Sequence, residues 1–345
     1  MAETSRKVIL DKSFLQAESR SCRRLRALRM CGCTFVLTDT LVYELCTGSR
    51  DTIWSEAQRK LWEFADAIEV WRHTGELLKE ELTAKAPVEG PFDKSLTERT
   101  RYWFGKRTEQ APDELRSLTR PAYQQREVDS VEALVRLCRT FCEICSVPYG
   151  QIRRELGQGK DLGPQMDDLV NQERMVKRWI QLAHGRPETS DVYIKGAEDG
   201  LGPEWFAFHH ARSSLALWCV FMLKYGEKDT PGKDFRNTKL DADYAALLHY
   251  ADALATNETS GSMADMCSWL YRGSRKLFST SGLDRVLPTE DTIGLDAYWI
   301  WDRSGRSHGH DVADWLSAEK ARMVQVWDRL GVENDSAPAL TRPAS

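Results

Sequence analysis

Several short apolar runs, each followed by an acidic segment, constrain the fold of this chain more than any other sequence feature. They are Lys7–Leu10 before Asp11, Cys33–Leu37 before the segment that contains Glu44, and Ala253–Ala255 before Glu258. Mostly apolar runs of this length are typical of strands buried on both faces, as in parallel sheets. Ala67–Trp71 is a further strand prediction, and helical patterns separate the runs. We therefore expect an α/β fold with a parallel sheet, and such sheets bind ligands at their carboxyl edge.

The segment Leu240–Glu258 combines four acidic residues with a change from helical to strand-like periodicity. Its apolar residues first recur at the helical period, which predicts a helix that begins at Asp241. A carboxylate at the start of a helix and another at the end of a strand indicate a site at the carboxyl edge of the sheet. Taken alone, the segment is better explained by a solvated helix start and an ordinary turn.

The order of these elements resembles the PIN-domain nuclease family. In that family an Asp ends the first strand, a Glu lies early in a later helix, an Asp opens another helix, and a last acid follows a strand. The resemblance assigns these places to Asp11, Glu44, Asp241 and Glu258. It also assigns a place near the substrate to two hydroxyl residues, Ser13 and Thr256. Glu258 departs from the family, whose last acid is usually Asp.

Clustered carboxylates predict the chemistry of the site. They would repel one another and raise one another's pKa values unless cations neutralised them. Hard oxygen ligands with few histidines suit Mg²⁺ or Mn²⁺, and such a site can activate water for attack on a phosphodiester. The expected function is a metal-dependent nuclease, and the resemblance implies RNA as the favoured substrate. The expected metal ligands are Asp11, Glu44, Asp241, Glu258 and Asp243, with Asp252 as an alternative to Asp243.

Nucleic-acid binding would depend on a local basic patch, because the formal net charge of the 345 residues is −4. The arginine-rich segment Phe14–Met30 is predicted to be one helix, and it follows Asp11 directly. Arg23 and Arg24 are its candidate phosphate contacts, because a carboxylate site that cuts a polyanion needs cations close by. A solvated helix face is the alternative interpretation.

Composition indicates a soluble, cytoplasmic protein. The hydrophobic fraction of 41% and the 12 tryptophans are enough for a packed core. Nine irregularly spaced cysteines are typical of reduced thiols rather than of a disulfide framework. The most apolar run, Leu215–Leu223, is far too short to cross a membrane, and no signal peptide is expected.

We expect a PIN-like three-layer core interrupted by a large helical insertion. The predicted parts are the core at residues 1–85 and 239–290, the insertion at 86–238, a helical extension at 291–332 and a disordered tail at 333–345. Further predicted elements are helices at Thr74–Leu82, Gly261–Leu277 and Val312–Leu330, and an edge strand at Arg285–Pro288.

Three other functions stay open. The core could be a catalytically idle scaffold that binds nucleic acid or a protein partner through the helical insertion. A DNase would use the same acids, and either nuclease could have a protein inhibitor or form a homodimer. Cys138, Cys142 and Cys145 have the spacing of an iron–sulfur motif, but they lie on a buried helical stripe, which favours core packing.

Overall fold

A five-stranded, entirely parallel sheet forms the centre of the protein in the computed structural model. The structure describes residues 5–47, 52–128, 163–183, 202–224, 234–258, 260–272, 276–305 and 310–331. The strands are β1 (Arg6–Leu10), β2 (Cys33–Thr38), β3 (Ile68–Trp71), β4 (Ala253–Thr256) and β5 (Leu277–Ser279). Their order across the sheet is β3-β2-β1-β4-β5, and every neighbouring pair is parallel. The predicted α/β class and the first four predicted strands are confirmed.

Helices make up most of the remaining described chain. In the amino-terminal part they are α1 (Lys12–Ala17), α2 (Arg23–Met30), α3 (Asp39–Thr47), α4 (Thr52–Leu61), α5 (Thr74–Ala84), α6 (Lys94–Lys106) and α7 (Asp113–Val128). In the middle they are α8 (Gly163–Asn171), α9 (Glu173–Ala183), α10 (Phe206–Lys224) and α11 (Asp234–Leu247). Towards the carboxyl end they are α12 (Ser262–Leu270), α13 (Thr280–Val286), α14 (Glu290–Arg303), α15 (Asp311–Met323) and α16 (Val326–Leu330). Short 3₁₀ turns cover Trp62–Ala67 and Leu248–Tyr250.

The sheet is covered on both faces. Because successive strand residues point to opposite faces, Val8 and Leu10 join one buried cluster while Ile9 joins another. The first cluster includes apolar residues of α2, α3, α4 and α13. The second includes apolar residues of α5 and of α8 to α12. Both faces of every central strand are therefore buried, which explains why these strands read as mostly apolar runs.

The described helices between residues 86 and 238 share these two cores. Phe104 of α6 and Leu115 of α7 belong to the cluster that contains Val8. Trp179 of α9 and Phe208 of α10 belong to the cluster that contains Ile9. The cysteines of the iron–sulfur alternative lie outside the described residues.

A buried carboxylate fixes the start of α10 to the first part of the chain. Glu81 of α5 is fully buried and accepts backbone N–H bonds from Phe206 and Ala207, both at 2.8 Å. It also accepts the N–H of Val88 at 3.3 Å. The first N–H groups of a helix have no partner within the helix, and an anion there also interacts favourably with the helix dipole.

The helix that carries Asp241 starts earlier than predicted. It begins at Asp234, so Asp241 lies in its interior and not at its start. Among the positions of α11 whose burial the structure describes, Thr238, Ala242 and Ala245 are buried. Thr238 is polar and so adds nothing to an apolar pattern, and this early part of the helix carries no clear periodic signal in the sequence.

Other predicted boundaries were also wrong. The segment Phe14–Met30 forms two helices, because Glu18 is extended and Cys22 has a left-handed backbone with φ of 52°. Gly261–Leu277 holds a shorter helix, α12. The edge strand is β5 and not Arg285–Pro288, whose first two residues belong to α13. Val312–Leu330 is divided between α15 and α16.

Two compositional expectations can be compared with the structure. None of the six cysteines in the described ranges forms a disulfide, and all six are buried. Among the described helices, none has both the length and the apolar character needed to cross a membrane.

The buried His209 stacks on the partly buried His249, and neither residue lines the cavity described below. The ring centroids of His209 and His249 lie 3.4 Å apart, and His209 Nε2 is 2.7 Å from the carbonyl oxygen of Pro203. Burial lowers the pKa of His249 to about 4, with Lys276 and Arg212 acting in the same direction. Burial and the neighbouring His249 lower the pKa of His209 well below its usual range. Both imidazoles are therefore neutral in the folded protein at neutral pH.

We expect His249→Phe to weaken the acid sensitivity of folding. In the unfolded chain a histidine gains its proton near pH 6.5, whereas folded His249 resists protonation until about pH 4. Wild-type stability should therefore fall below pH 6.5, and the variant should lose up to about 1.4 kcal/mol less per pH unit. Urea unfolding at pH 7, 6 and 5 measures this difference. Stability curves of equal slope for the two proteins would contradict it.

Candidate active site

One cavity of about 360 Å³ opens at the carboxyl edge of the sheet. The strand order reverses between β1 and β4, which is where open α/β sheets bind ligands. All five predicted metal ligands line the cavity: Asp11, Glu44, Asp241, Asp243 and Glu258. They come from the end of β1, from α3, from α11 and from the segment after β4, so folding brings together residues that are far apart in the sequence.

Two hydroxyl groups hold the Asp11 carboxylate. Thr256 Oγ1 donates a hydrogen bond to Asp11 Oδ2 at 2.9 Å, and Ser13 Oγ donates to the same oxygen. The same hydroxyls accept the backbone N–H groups of Asn257 and Glu258, at 2.9 and 3.1 Å. Ser13 lines the cavity as predicted, whereas Thr256 is fully buried. In this arrangement Thr256 can orient Asp11 and Glu258 but does not face a substrate.

A lysine lies among the acids. Lys12 Nζ is 3.5 Å from Glu44 Oε2, and both side chains are partly exposed. Among the described residues that line this cavity, Lys12 is the only lysine or arginine, and six residues carry carboxyl groups. The cavity is therefore strongly negative unless cations enter it.

Asp243 joins the cavity, and Asp252 does not. Thr74 Oγ1, at the start of α5, donates a hydrogen bond to Asp243 Oδ1 at 2.9 Å. Asp252 precedes β4 and so lies at the amino edge of the sheet, where its Oδ2 accepts the N–H of Lys7 at 2.6 Å. Of these two residues, Asp243 is the one that lines the cavity.

A sixth carboxylate, Asp39, was not predicted. It directly follows β2, as Asp11 follows β1, so the strand-end rule that identified Asp11 would also have identified it. The side chain is 4% exposed, and burial together with Glu76 raises its pKa to about 7. Lys12, His73 and Thr74 are among the other cavity residues for which no role in the site was predicted. The residue before α5, His73, caps this helix: its Nδ1 accepts the N–H of Gly75 at 3.0 Å.

Arg23 and Arg24 do not line the cavity. Arg24 forms a two-fold ion pair with Asp284 of α13, with both N–O distances at 2.7 Å. Arg23 donates to the carbonyl oxygen of Pro288. Both guanidinium groups thus connect α2 to the α13 region, because that region packs against α2. As phosphate contacts for a substrate in this cavity they are not supported.

The donor atoms of the cavity suit a hard divalent cation, because nearly all are carboxylate or hydroxyl oxygens. The side chains that carry these oxygens do not converge on one position. Within the ranges that the structure describes, no three His, Cys, Asp or Glu side chains are placed to hold one metal ion. Binding an ion would therefore require side-chain rotation, and Glu44 would have to leave Lys12.

Comparison with known proteins adds one match. A family model described as a protein of unknown function (DUF2934) matches residues 288–321, which include α14 and most of α15. None of the residues that the structure describes in this range lines the cavity. No curated protein and no solved structure matches the chain. The function of the cavity has to be inferred from its own chemistry.

Proposed function

We propose that this protein is a metal-dependent nuclease that hydrolyses phosphodiester bonds, with RNA as the favoured substrate. The observation that carries the proposal is the gathering of Asp11, Glu44, Asp241, Asp243 and Glu258 in one cavity at the sheet edge. Like charges gathered in one cavity destabilise the folded state unless cations neutralise them, so cation binding would explain why acids from four distant segments line this cavity.

The proposed fold is a PIN-like core with residues 86–238 inserted into it. The order of the four acids along the chain supports this, as does the parallel sheet whose carboxyl edge carries them. RNA is proposed because PIN-domain proteins are typically ribonucleases. A protein inhibitor or a second copy of the chain are further proposed partners.

In this proposal Mg²⁺ or Mn²⁺ would be held by Asp11, Asp241 and Glu258, with Glu44 and Asp243 completing the site. The ion would lower the pKa of a bound water and stabilise developing charge on the phosphate. The protein's own part is positional. Ser13 and Thr256 fix Asp11, and Thr74 fixes Asp243.

We expect Lys12→Met to tighten Mn²⁺ binding by up to about fivefold, because Glu44 would no longer be held in an ion pair worth about 0 to 1 kcal/mol. Isothermal titration calorimetry measures the affinity. Lys7→Met is a matched control, since Lys7 is equally exposed but pairs with Glu69 at the other edge of the sheet. An unchanged or weaker Mn²⁺ affinity in Lys12→Met would contradict the expectation.

A catalytically idle scaffold is the second candidate. It is favoured by the Lys12–Glu44 ion pair, which partly neutralises the cavity without a metal, and by the lack of convergence among the described carboxylates. In that case the helices of residues 86–238 would bind nucleic acid or a protein partner. A DNase is a third candidate that shares the same acids.

The test is cleavage of single-stranded RNA and single-stranded DNA by the purified protein, with Mn²⁺ or with EDTA. The proposal predicts RNA cleavage that requires Mn²⁺. Cleavage of DNA alone would favour the DNase. Cleavage of neither polymer, by a protein shown to be folded, would favour the idle scaffold.

A further inference from the structure

The buried carboxylate Asp39 connects two of the walls of the cavity. Its Oδ1 accepts the N–H of Thr40 at 2.6 Å, within the first turn of α3. Its Oδ2 accepts the N–H of His73 at 3.0 Å, just before α5 begins. Thr38 and Trp71, the last residues of β2 and β3, are register partners. Asp39 thus bridges the two chain segments immediately after they leave the sheet.

The connection continues on both sides to proposed metal ligands. On one side α3 carries Glu44, five residues after Asp39. On the other side His73 caps α5, and the next residue, Thr74, donates to Asp243 of α11. Asp241 lies two residues earlier on that same helix.

Asp241 depends on this connection more than Asp11 does. Asp11 directly follows β1, and its N–H donates to the carbonyl oxygen of Ala255 in β4 at 3.0 Å, so the sheet itself fixes it. Asp241 lies inside α11, and its distance from the other acids is set by how α11 sits above the sheet edge. Thr74 is a polar contact between that helix and the strand ends.

We propose that Asp39 is a positioning residue that sets the spacing between Glu44 on α3 and the α11 acids Asp241 and Asp243. The effect of Asp39 on cleavage rests on the proposed nuclease function. The hydrogen-bonded connection between the cavity walls does not. Residues that orient metal ligands typically contribute 10- to 100-fold to metal affinity or activity.

The test uses Asp39→Ala and Asp39→Asn. Asn is nearly isosteric and can still accept from Thr40, but it places an N–H₂ group against the N–H of His73. Both variants should lower the single-turnover rate of RNA cleavage by about 10- to 100-fold. Glu76→Gln is the control for charge, because it removes the exposed carboxylate that acts on Asp39 without removing either hydrogen bond. We expect its rate to stay within about twofold of wild type.

A double variant separates positioning from general destabilisation. Thr74→Val alone removes the bond to Asp243 and should slow cleavage. If Asp39 acts through Thr74, the Asp39→Ala/Thr74→Val double variant should be no more than about twofold slower than Asp39→Ala. Rate losses that multiply in full would overturn the proposal.

Amide hydrogen exchange tests the connection without any enzymatic activity. In both Asp39 variants the amides of His73 and Gly75 should exchange faster, while the amide of Asp11 should not change. Unchanged exchange at Gly75 would overturn the proposal. If the wild type cleaves no RNA, the nuclease function fails and the exchange result alone decides whether Asp39 positions α5.

Discussion

Asp241→Asn is expected to lower metal-dependent RNA cleavage at least about a hundredfold. Asp241 lines the cavity, and Asn has nearly the same shape but lacks the negative charge that binds a hard cation. Residues that only support a metal ligand contribute about 10- to 100-fold, so a ligand itself should contribute no less. Single-turnover cleavage of RNA at saturating Mn²⁺ measures the effect.

Asp252→Asn is the matched control for this prediction. Asp252 belongs to the same acidic segment, but it lies at the opposite edge of the sheet and bonds to the N–H of Lys7, which Asn can also accept. Its cleavage rate should remain near that of wild type. Equal losses of cleavage rate in Asp241→Asn and Asp252→Asn would mean that cleavage depends on the overall charge of the protein and not on the carboxylate in the cavity.

Glu81→Ala is expected to destabilise the fold by about 3 to 5 kcal/mol. The substitution leaves three backbone N–H groups, of Val88, Phe206 and Ala207, without their carboxylate acceptor, and each buried donor without a partner costs about 1 to 3 kcal/mol. Domain stabilities are only about 5 to 15 kcal/mol, so much of the stability would be lost. Urea unfolding measures the difference.

Two further variants, Glu80→Ala and Glu81→Gln, are the controls for the stability loss expected of Glu81→Ala. Glu80 is the preceding residue of the same helix, and its ion pair with Arg72 is partly exposed, so Glu80→Ala should cost less than about 1 kcal/mol. Glu81→Gln keeps one carbonyl acceptor and should have an intermediate effect. A Glu81→Ala protein as stable as Glu80→Ala would show that the buried carboxylate does not hold α10.

The strands and the acids that follow them could be predicted because their signal is local. A strand buried on both faces needs a mostly apolar run, and the runs in β1, β2 and β4 are visible without knowledge of the fold. In a parallel sheet all carboxyl ends lie at one edge. The positions of Asp11 and Glu258 at the cavity follow from these two facts.

The edge strand β5 could not be found in this way. It has three residues, and its sequence, Leu-Phe-Ser, is too short for a periodic pattern. Only its hydrogen bonds to β4 define it as a strand. The segment Arg285–Pro288 contains enough apolar residues to be predicted as a strand, but its residues up to Val286 form the helix α13.

The remaining differences between prediction and structure arise from side chains whose hydrogen-bond partners lie far away in the sequence. The guanidinium of Arg24 is bound to Asp284, 260 residues later, and no local pattern reveals such a pair. The bond between Asp39 and the N–H of His73 joins positions 34 residues apart. In both cases the side chain was visible in the sequence, but what it contacts depends on how α2, α3 and the ends of the strands pack.

The most direct test of the metal site is a calorimetric titration of the wild-type protein and of an Asp11→Asn/Asp241→Asn double variant with Mn²⁺. The two acids come from different elements, the end of β1 and the helix α11, and both substitutions keep the side-chain shape. We predict saturable binding to the wild type, competition by Mg²⁺, and loss of binding in a double variant that unfolds in urea like the wild type. Wild-type protein that binds no Mn²⁺, or a double variant that binds it equally well, would contradict the proposed site.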